Sequence, residues 1–322
     1  MLSAPEFSQK QIIFVMLSSG EKLSFKNDNL VVSSAEEGIR FQTTCDRLFA
    51  VFLVGHLTVT SGLLQRAKKF GFSIVMLTHG LSPYGSWFAK AEGNVVLRRK
   101  QYEYQRLEIA QRLVVNKIEN QLAMLQKRRN KTEELKNALA LLKDYAGRLP
   151  DEKLALQDIL GIEGVAAKVY FKQMFDQHNW QGRKPRVKHD IINLLLDMGY
   201  TQLFNIMDSL LNLYGFDVYQ GVYHQTFYQR KSLVCDLIEP FRPIVDQVIR
   251  NAFNLGQIKP QDFHYTQNQY RIIGKAAQPY LALLIKGILV HKTELFLYVQ
   301  QYYRAFMQNK DIEQYPWFEG AN

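Results

Sequence analysis

The chain has 322 residues, of which 47% are hydrophobic, 12% aromatic and 22% charged, with 9 Pro, 19 Gly and 2 Cys. That content excludes a predominantly disordered chain and supplies cores for two domains of ordinary size. The two cysteines, Cys45 and Cys235, exclude a disulfide framework or a four-thiolate zinc site. Forty Lys+Arg against 30 Asp+Glu give +10, and residues 1–95 hold only 9 basic and 7 acidic side chains, so +8 lies beyond them. A basic excess concentrated in one region suits a polyanionic partner.

The opening MLSAPEFSQKQIIF has no basic stretch followed by an apolar run, so no secretory signal is expected. Gln11–Leu17, Lys22–Phe25, Asn29–Ser33, Arg40–Thr43, Leu48–Val54 and Phe72–Leu77 are short runs rich in Val, Ile, Phe and Leu. Turn-type pairs separate them: Ser19-Gly20, Asn27-Asp28 and Glu37-Gly38. One helix interrupts the pattern at Ser61–Phe70, with Thr60 or Ser61 as N-cap. The expectation is a small antiparallel, sandwich-like sheet domain carrying one helix.

After Asn94 the period becomes helical and stays so, which makes the fold class α+β: residues 1–94 a β-rich domain, residues 95–322 a larger all-α domain. Val95–Gln126 reads as one long helix. Further helices are expected near Lys131–Gly147, Asp151–Leu160, Gly164–Phe175, Lys188–Leu213, Ser232–Phe253 and Pro279–Gln308. The most apolar stretch, Leu281–Val290, is interrupted by Lys286 and falls far below the ~20 residues of a membrane span. A cytoplasmic protein without membrane association is expected.

Several residues invite chemistry. Arg98, Arg99, Lys100, Arg106, Arg112, Lys117, Lys127, Arg128, Arg129 and Lys131 make either a solvated helix face or a phosphate-tracking stripe, with Tyr102 and Tyr104 available to stack on bases. In Leu160-Gly161-Ile162-Glu163-Gly164 one acid is bracketed by glycines near an expected helix start. Glu163 there either interacts with the helix dipole or meets a closely approaching ligand. Gly215–His224 is a connection ending in a histidine. Just beyond it, Asp236 and Glu239 share a helix face among Leu233, Val234, Leu237 and Ile238. Two acids beside a buried face need a cation, and a divalent ion held by carboxylate and imidazole supplies it. His178, His189 and Asp190 offer a competing reading as a metal phosphohydrolase of the His-Asp type. No G-x-x-x-x-G-K-[ST] loop is present, against an NTPase.

Four segments together closely resemble the CRISPR-associated spacer-acquisition integrase/endonuclease family (Cas-one): G-I-E-G-x-A-A-x-x-Y-F at Gly161–Phe171, D-x-x-N-x-L-L at Asp190–Leu196, G-x-x-H at Gly221–His224 and S-L-x-x-D-L-x-E-P-F-R-P at Ser232–Pro243. Gly55-His56-Leu57-Thr58-Val59-Thr60-Ser61 also resembles the family's turn into its N-terminal helix. Two departures are visible: a proline pair is missing before Asp190, and Gln229 stands where glycine commonly precedes Arg230.

The resemblance implies a metal-dependent DNA integrase and endonuclease that uses Mg²⁺ or Mn²⁺ to join spacer 3′-hydroxyl ends into the CRISPR repeat. It maps the metal ligands onto Glu163, His224 and Glu239, with Asp236 supporting. It further implies a homodimer built on the N-terminal sheet, double-stranded DNA (spacer and repeat) as substrate, and a small adaptation partner protein bridging two dimers. Arg98, Arg99, Lys100, Arg183, Lys184, Arg186, Arg230, Lys231 and Arg242 become candidate DNA contacts. The alternatives are a non-catalytic DNA-binding scaffold and the His-Asp phosphohydrolase.

Overall fold

The computed structural model describes every residue except 1, 19, 56, 90–92, 152, 179, 273–275 and 321–322. The expected turn at Ser19 and the His56 position of the segment before the N-terminal helix lie outside the described residues. Two compact units result, one running to Asn94 and including Asp208–Phe216, the other made of Val95–Met207 and the chain from Asp217 onward. A β-rich N-terminal region precedes a mostly helical one, the α+β class.

The N-terminal region begins with a helix that apolar alternation does not announce. Ala4–Gln9 (α1) is closed by a capping box: Ser3 Oγ accepts from the Glu6 N–H at 3.4 Å, and Glu6 Oε2 accepts from the Ser3 N–H at 2.7 Å. Seven strands follow: β1 (Gln11–Met16), β2 (Glu21–Lys26), β3 (Asn29–Ser34), β4 (Gly38–Thr44), β5 (Leu48–Val54), β6 (Ser73–Leu77) and β7 (Pro83–Trp87), with α2 (Ser61–Phe70) between β5 and β6.

Their pairing is mixed rather than wholly antiparallel. β1, β5 and β6 run parallel and β7 antiparallel in the order β1-β5-β6-β7, while β2-β3-β4 form a separate antiparallel meander. The reason is α2, which carries the chain across from β5 so that β6 enters in the same direction, a connection that parallel strands require. β5, LFAVFLV, is buried at every position, as befits a strand covered on both faces. Leu30 and Val32 of β3, Val51 and Leu53 of β5, and Leu63 and Ala67 of α2 share one core.

The helical unit contains α3 (Val95–Glu103), α4 (Glu108–Gln126), α5 (Glu133–Arg148), α6 (Leu156–Met174), the first turns of α7 (Ile191–Tyr214), α8 (Ser232–Ile238), α9 (Arg242–Asn254), α10 (Ala277–Val290) and α11 (Lys292–Met307). The single helix expected over Val95–Gln126 is broken between α3 and α4. There the Tyr104 hydroxyl accepts from the Ile109 N–H at 3.3 Å, and its ring lies 5.8 Å from Phe306. Conversely, the two helices expected on either side of Gly161–Gly164 are one. Interior glycines cost ~1 kcal/mol each, and α6 is carried through them by burying Ile159, Ala166, Tyr170 and Met174. Glu163 is therefore a mid-helix residue, not one at a helix start.

The expected Ser232–Phe253 helix is interrupted by a 3₁₀ turn, Glu239–Phe241, around Pro240, and the expected Pro279–Gln308 helix is split at His291. An unexpected hairpin, β8 (His264–Thr266) and β9 (Gln269–Arg271), turns through Gln267 and Asn268, both at positive φ. α4 packs against α5, α6 and α9, and is buried even at its polar positions Asn116, Lys117, Asn120 and Gln121. Among the described residues, no helix is long and apolar enough to cross a membrane.

Candidate active site

α4 lies beside both α6 and the 3₁₀ turn before α9, so one side chain of α4 can reach both. Lys117 does. It sits four residues after Leu113 and three after Val114, on the buried side of α4. Its ammonium pairs with Glu163 Oε1, and lies 2.7 Å from Glu239 Oε2. The Lys117 and Glu239 side chains are 9% and 5% exposed, Glu163 21%, so Glu163 faces the open side. Arg242 Nε lies 2.9 Å from the same Glu239 oxygen. Both cations lie within hydrogen-bond distance of that oxygen, so hydrogen bonding and charge act on it together. Burial alone pushes the Glu239 carboxyl up, but Arg242 and Lys117 outweigh it and hold the group well below the ordinary carboxylate range. Burial likewise works against the Lys117 ammonium, and Glu239 and Glu163 more than offset it.

The second half of the site is built on Asp236, fully buried in α8. Its Oδ2 accepts from the Val222 and Tyr223 N–H groups at 2.7 and 3.0 Å. Its Oδ1 accepts from the His224 N–H at 2.9 Å and lies 2.7 Å from His224 Nδ1. One carboxylate thus shapes the loop 221–224 and fixes the imidazole, leaving Nε2 as the ring's outward nitrogen. Gly221 is required here, because a Cβ would stand 2.7 Å from both Asp236 Oδ2 and the His224 carbonyl oxygen. The two halves adjoin. The imidazole of His224 acts electrostatically on Glu239, and the buried Tyr223 hydroxyl is pushed up by burial and by the carboxylates of Glu163, Glu239 and Asp236.

Behind Arg242 lies a third layer. Its guanidinium sits over the Tyr200 ring at 4.6 Å. The Tyr200 and Tyr170 hydroxyls donate to the two oxygens of Asp246 at 2.5 and 2.9 Å. Burial pushes Asp246 up to about 6, although both tyrosines and the nearby arginines Arg242 and Arg183 pull the other way. Its folded pKa thus exceeds the unfolded one, so the stability it contributes is complete below the ordinary 3.8 and is lost as pH rises through about 6. Asp246→Asn is expected to remove that slope. Between pH 4.5 and 7.5 the difference in unfolding free energy should move by ~2 kcal/mol in favour of the variant. Urea melts at the two pH values check this, and a difference that stays constant contradicts it.

Among the described residues, no three His, Cys, Asp or Glu side chains form a group arranged to hold a metal ion. The expected ligands meet differently: Glu163 and Glu239 on the Lys117 ammonium, His224 on Asp236. The donor set still suits a hard divalent ion. It offers two carboxylates that already converge on one cation, and an imidazole whose tautomer a carboxylate can fix.

The basic stripe expected along α3 and α4 is not one surface. Arg112 donates to the carbonyls of Glu313 and Tyr315, Arg128 pairs with Asp176 at 2.7 Å, and Lys117 is inside the site. Of the candidate DNA contacts, Arg99, Lys184 and Arg186 are exposed, while Arg98, Arg230 and Lys231 are half-buried. Lys100 donates to the Met307 carbonyl, Arg183 pairs with Asp197 at 2.5 Å, and Arg242 is bound to Glu239. Of the competing His-Asp set, His189 Nε2 lies 2.9 Å from Asp190 Oδ2. Asp190 also caps α7 by accepting from the Asn193 N–H at 2.6 Å, and the His178 ring lies 4.8 Å from that of Phe253, tilted by 43°. Gln229, at the expected glycine position, takes φ +58, the left-handed region where glycine costs least.

Residues 14–285 match the family model described as CRISPR associated protein Cas1. Over 280 residues the chain is 28% identical to the CRISPR-associated endonuclease Cas1 1 of Thermodesulfovibrio yellowstonii, covering 81% of this chain and 87% of that one. Over 248 residues it is 32% identical to the CRISPR-associated endonuclease Cas1 3 of Thermus thermophilus, covering 72% and 70%. A chain of the solved Cas6-RT-Cas1–Cas2 complex superposes with a TM-score of 0.79 at 25% identity. This match covers 98% of the present chain and 37% of the longer one.

Proposed function

The chain belongs to the CRISPR associated protein Cas1 family, and we propose that it is a divalent-metal-dependent DNA endonuclease and integrase that joins spacer 3′-hydroxyl ends into the CRISPR repeat. One observation carries the reading: carboxylates from α6 and from the turn before α9 meet at one buried position beside an imidazole anchored by Asp236. Glu163, Glu239 and His224 are the residues that would hold the ion. When bound, Mg²⁺ or Mn²⁺ lowers the pKa of the attacking hydroxyl and neutralises charge on the phosphate.

The chain's own residues do the rest. Asp236 keeps His224 oriented with Nδ1 toward itself, so Nε2 is available as a ligand or to take the proton of the incoming hydroxyl. Glu239 is held ionised by Arg242 and Lys117, the form in which a carboxylate ligates a metal. The attacking 3′-oxygen forms one phosphodiester bond as the departing strand oxygen leaves another. The exchange needs no nucleoside triphosphate, in keeping with the missing phosphate loop. Either side of Glu163, a Cβ at Gly161 or Gly164 would meet nothing within 4 Å, which leaves room for a nucleic-acid backbone.

The exposed Arg99, Lys184 and Arg186 are proposed as phosphate contacts. Residues 1–94 are proposed as the dimerisation domain and residues 95–322 as the catalytic domain. Edge strand β4, with Ile39 and Phe41 exposed at 53% and 37%, supports the first role. A chain that runs as a monomer by light scattering counts against it. The relative solved as a Cas1–Cas2 complex supports a small Cas2-type partner.

The test is strand transfer of short duplexes into a supercoiled, repeat-bearing plasmid by the protein with its small partner. Joined products are expected with Mn²⁺ or Mg²⁺ and none with EDTA. DNA binding without metal-dependent joining or cleavage would overturn the proposal in favour of a non-catalytic scaffold.

A further inference from the structure

The cluster around Glu239 already holds its own cations. Two carboxylates, Glu163 and Glu239, meet the buried Lys117 ammonium, and Glu239 also meets the half-buried Arg242 guanidinium, beside the Asp236–His224 pair. These two acids and two cations already balance, so a divalent ion adds two unmatched positive charges if both cationic heads stay, and fewer if one withdraws. Arg242 is tied to its place by Glu239 and by the Tyr200 ring that it covers, which rests in turn on Asp246. Lys117 makes its ion pairs, among the described residues, with the two carboxylates that the ion would take. It carries a point charge on a four-carbon stem that can swing away.

We propose that Lys117 is a resident countercation. Its ammonium spans Glu163 and Glu239, holds their carboxylates together, and is displaced when a divalent ion competes for the same oxygens. Lys117 is in this sense a positioning residue: it preassembles the ligands at a cost in metal affinity, and it joins metal uptake to a side-chain movement inside α4. The inference rests on reading Glu163 and Glu239 as metal ligands.

Calorimetric titration of Mn²⁺ into the DNA-free protein tests it, with thermal melts of the same samples with and without Mn²⁺. Lys117→Gln and Lys117→Met remove the competitor, and both are expected to bind Mn²⁺ about tenfold tighter or more, the effect of withdrawing a unit charge from among the ligands. Both should melt lower than wild type without Mn²⁺ and recover most of the difference with it. A variant that folds only with Mn²⁺ is the extreme form of the same result, since the ion then does the ammonium's work. Lys117→Arg keeps the charge and is expected to bind no tighter than wild type.

Gln and Met variants that bind Mn²⁺ equally or more weakly, or that fail to fold with or without it, overturn the inference while leaving the site's assignment standing. Wild-type protein that takes up no Mn²⁺ overturns the assignment itself.

Discussion

Glu239→Gln is expected to abolish strand transfer and to lower the unfolding free energy by ~3 kcal/mol, whereas Glu163→Gln abolishes strand transfer at a cost of ~1 kcal/mol or less. The two acids share the Lys117 ammonium, but their settings differ. Glu239 is 5% exposed and is paired with two cations, the buried Lys117 and the half-buried Arg242, so neutralising it leaves both with only part of their compensation. Glu163 is 21% exposed on the open side of α6, and Lys117 retains Glu239 when it is lost. Chemical denaturation alongside the plasmid assay separates the effects. Equal stability losses in the two variants would contradict the buried-charge account, and residual metal-dependent joining by Glu163→Gln would contradict its role as a ligand.

The second large effect is expected at Asp236. Asp236→Ala leaves three backbone N–H groups and the His224 ring without their shared, fully buried acceptor. A loss of about 3–5 kcal/mol is expected, the range for breaking a buried charged network. Gly221→Ala attacks the same arrangement without touching a charge. Its Cβ collides with Asp236 Oδ2 and the His224 carbonyl, so the loop and the imidazole must move. Joining activity should fall at least tenfold in Gly221→Ala, even where the variant melts cooperatively. Hydrogen exchange at Val222–His224 should rise in both variants. Unchanged protection there would mean that Asp236 does not organise the loop.

Much of this was legible in the sequence, for identifiable reasons. β5 announces itself because seven apolar residues in a row suit a strand buried on both faces, and Asp236 and Glu239 stand out because acids among Leu233, Val234, Leu237 and Ile238 demand a partner. α1 carries its capping box and Pro5 openly, and was missed only because six residues are too few for a hydrophobic period. The parallel pairing of β1, β5 and β6 is not legible, since short apolar strands read alike in either direction and the connections decide: the β2–β4 meander between β1 and β5, and α2 between β5 and β6.

The continuity of α6 was hidden by its glycines, whose local cost is outweighed by tertiary burial that no window of sequence contains. Lys117 falls within a run of basic residues whose charge suits either a solvated helix face or a phosphate-tracking stripe, and neither places it inside the site. The usable signal was spacing: a lysine in register with Leu113, Val114 and Ile118 faces the core and must find carboxylates there. Asp246 with Tyr170 and Tyr200 left no comparable trace, being three residues from three helices that only the fold assembles.

The convergence of Glu163, His224 and Glu239 on one divalent ion, as proposed, is decided by an anomalous difference map from crystals of the protein soaked in Mn²⁺. A single peak in contact with the carboxylates of Glu163 and Glu239 and with His224 Nε2 is expected, lost in Glu163→Gln crystals soaked identically. A map with no peak among these side chains, or with Mn²⁺ bound only elsewhere, would contradict it.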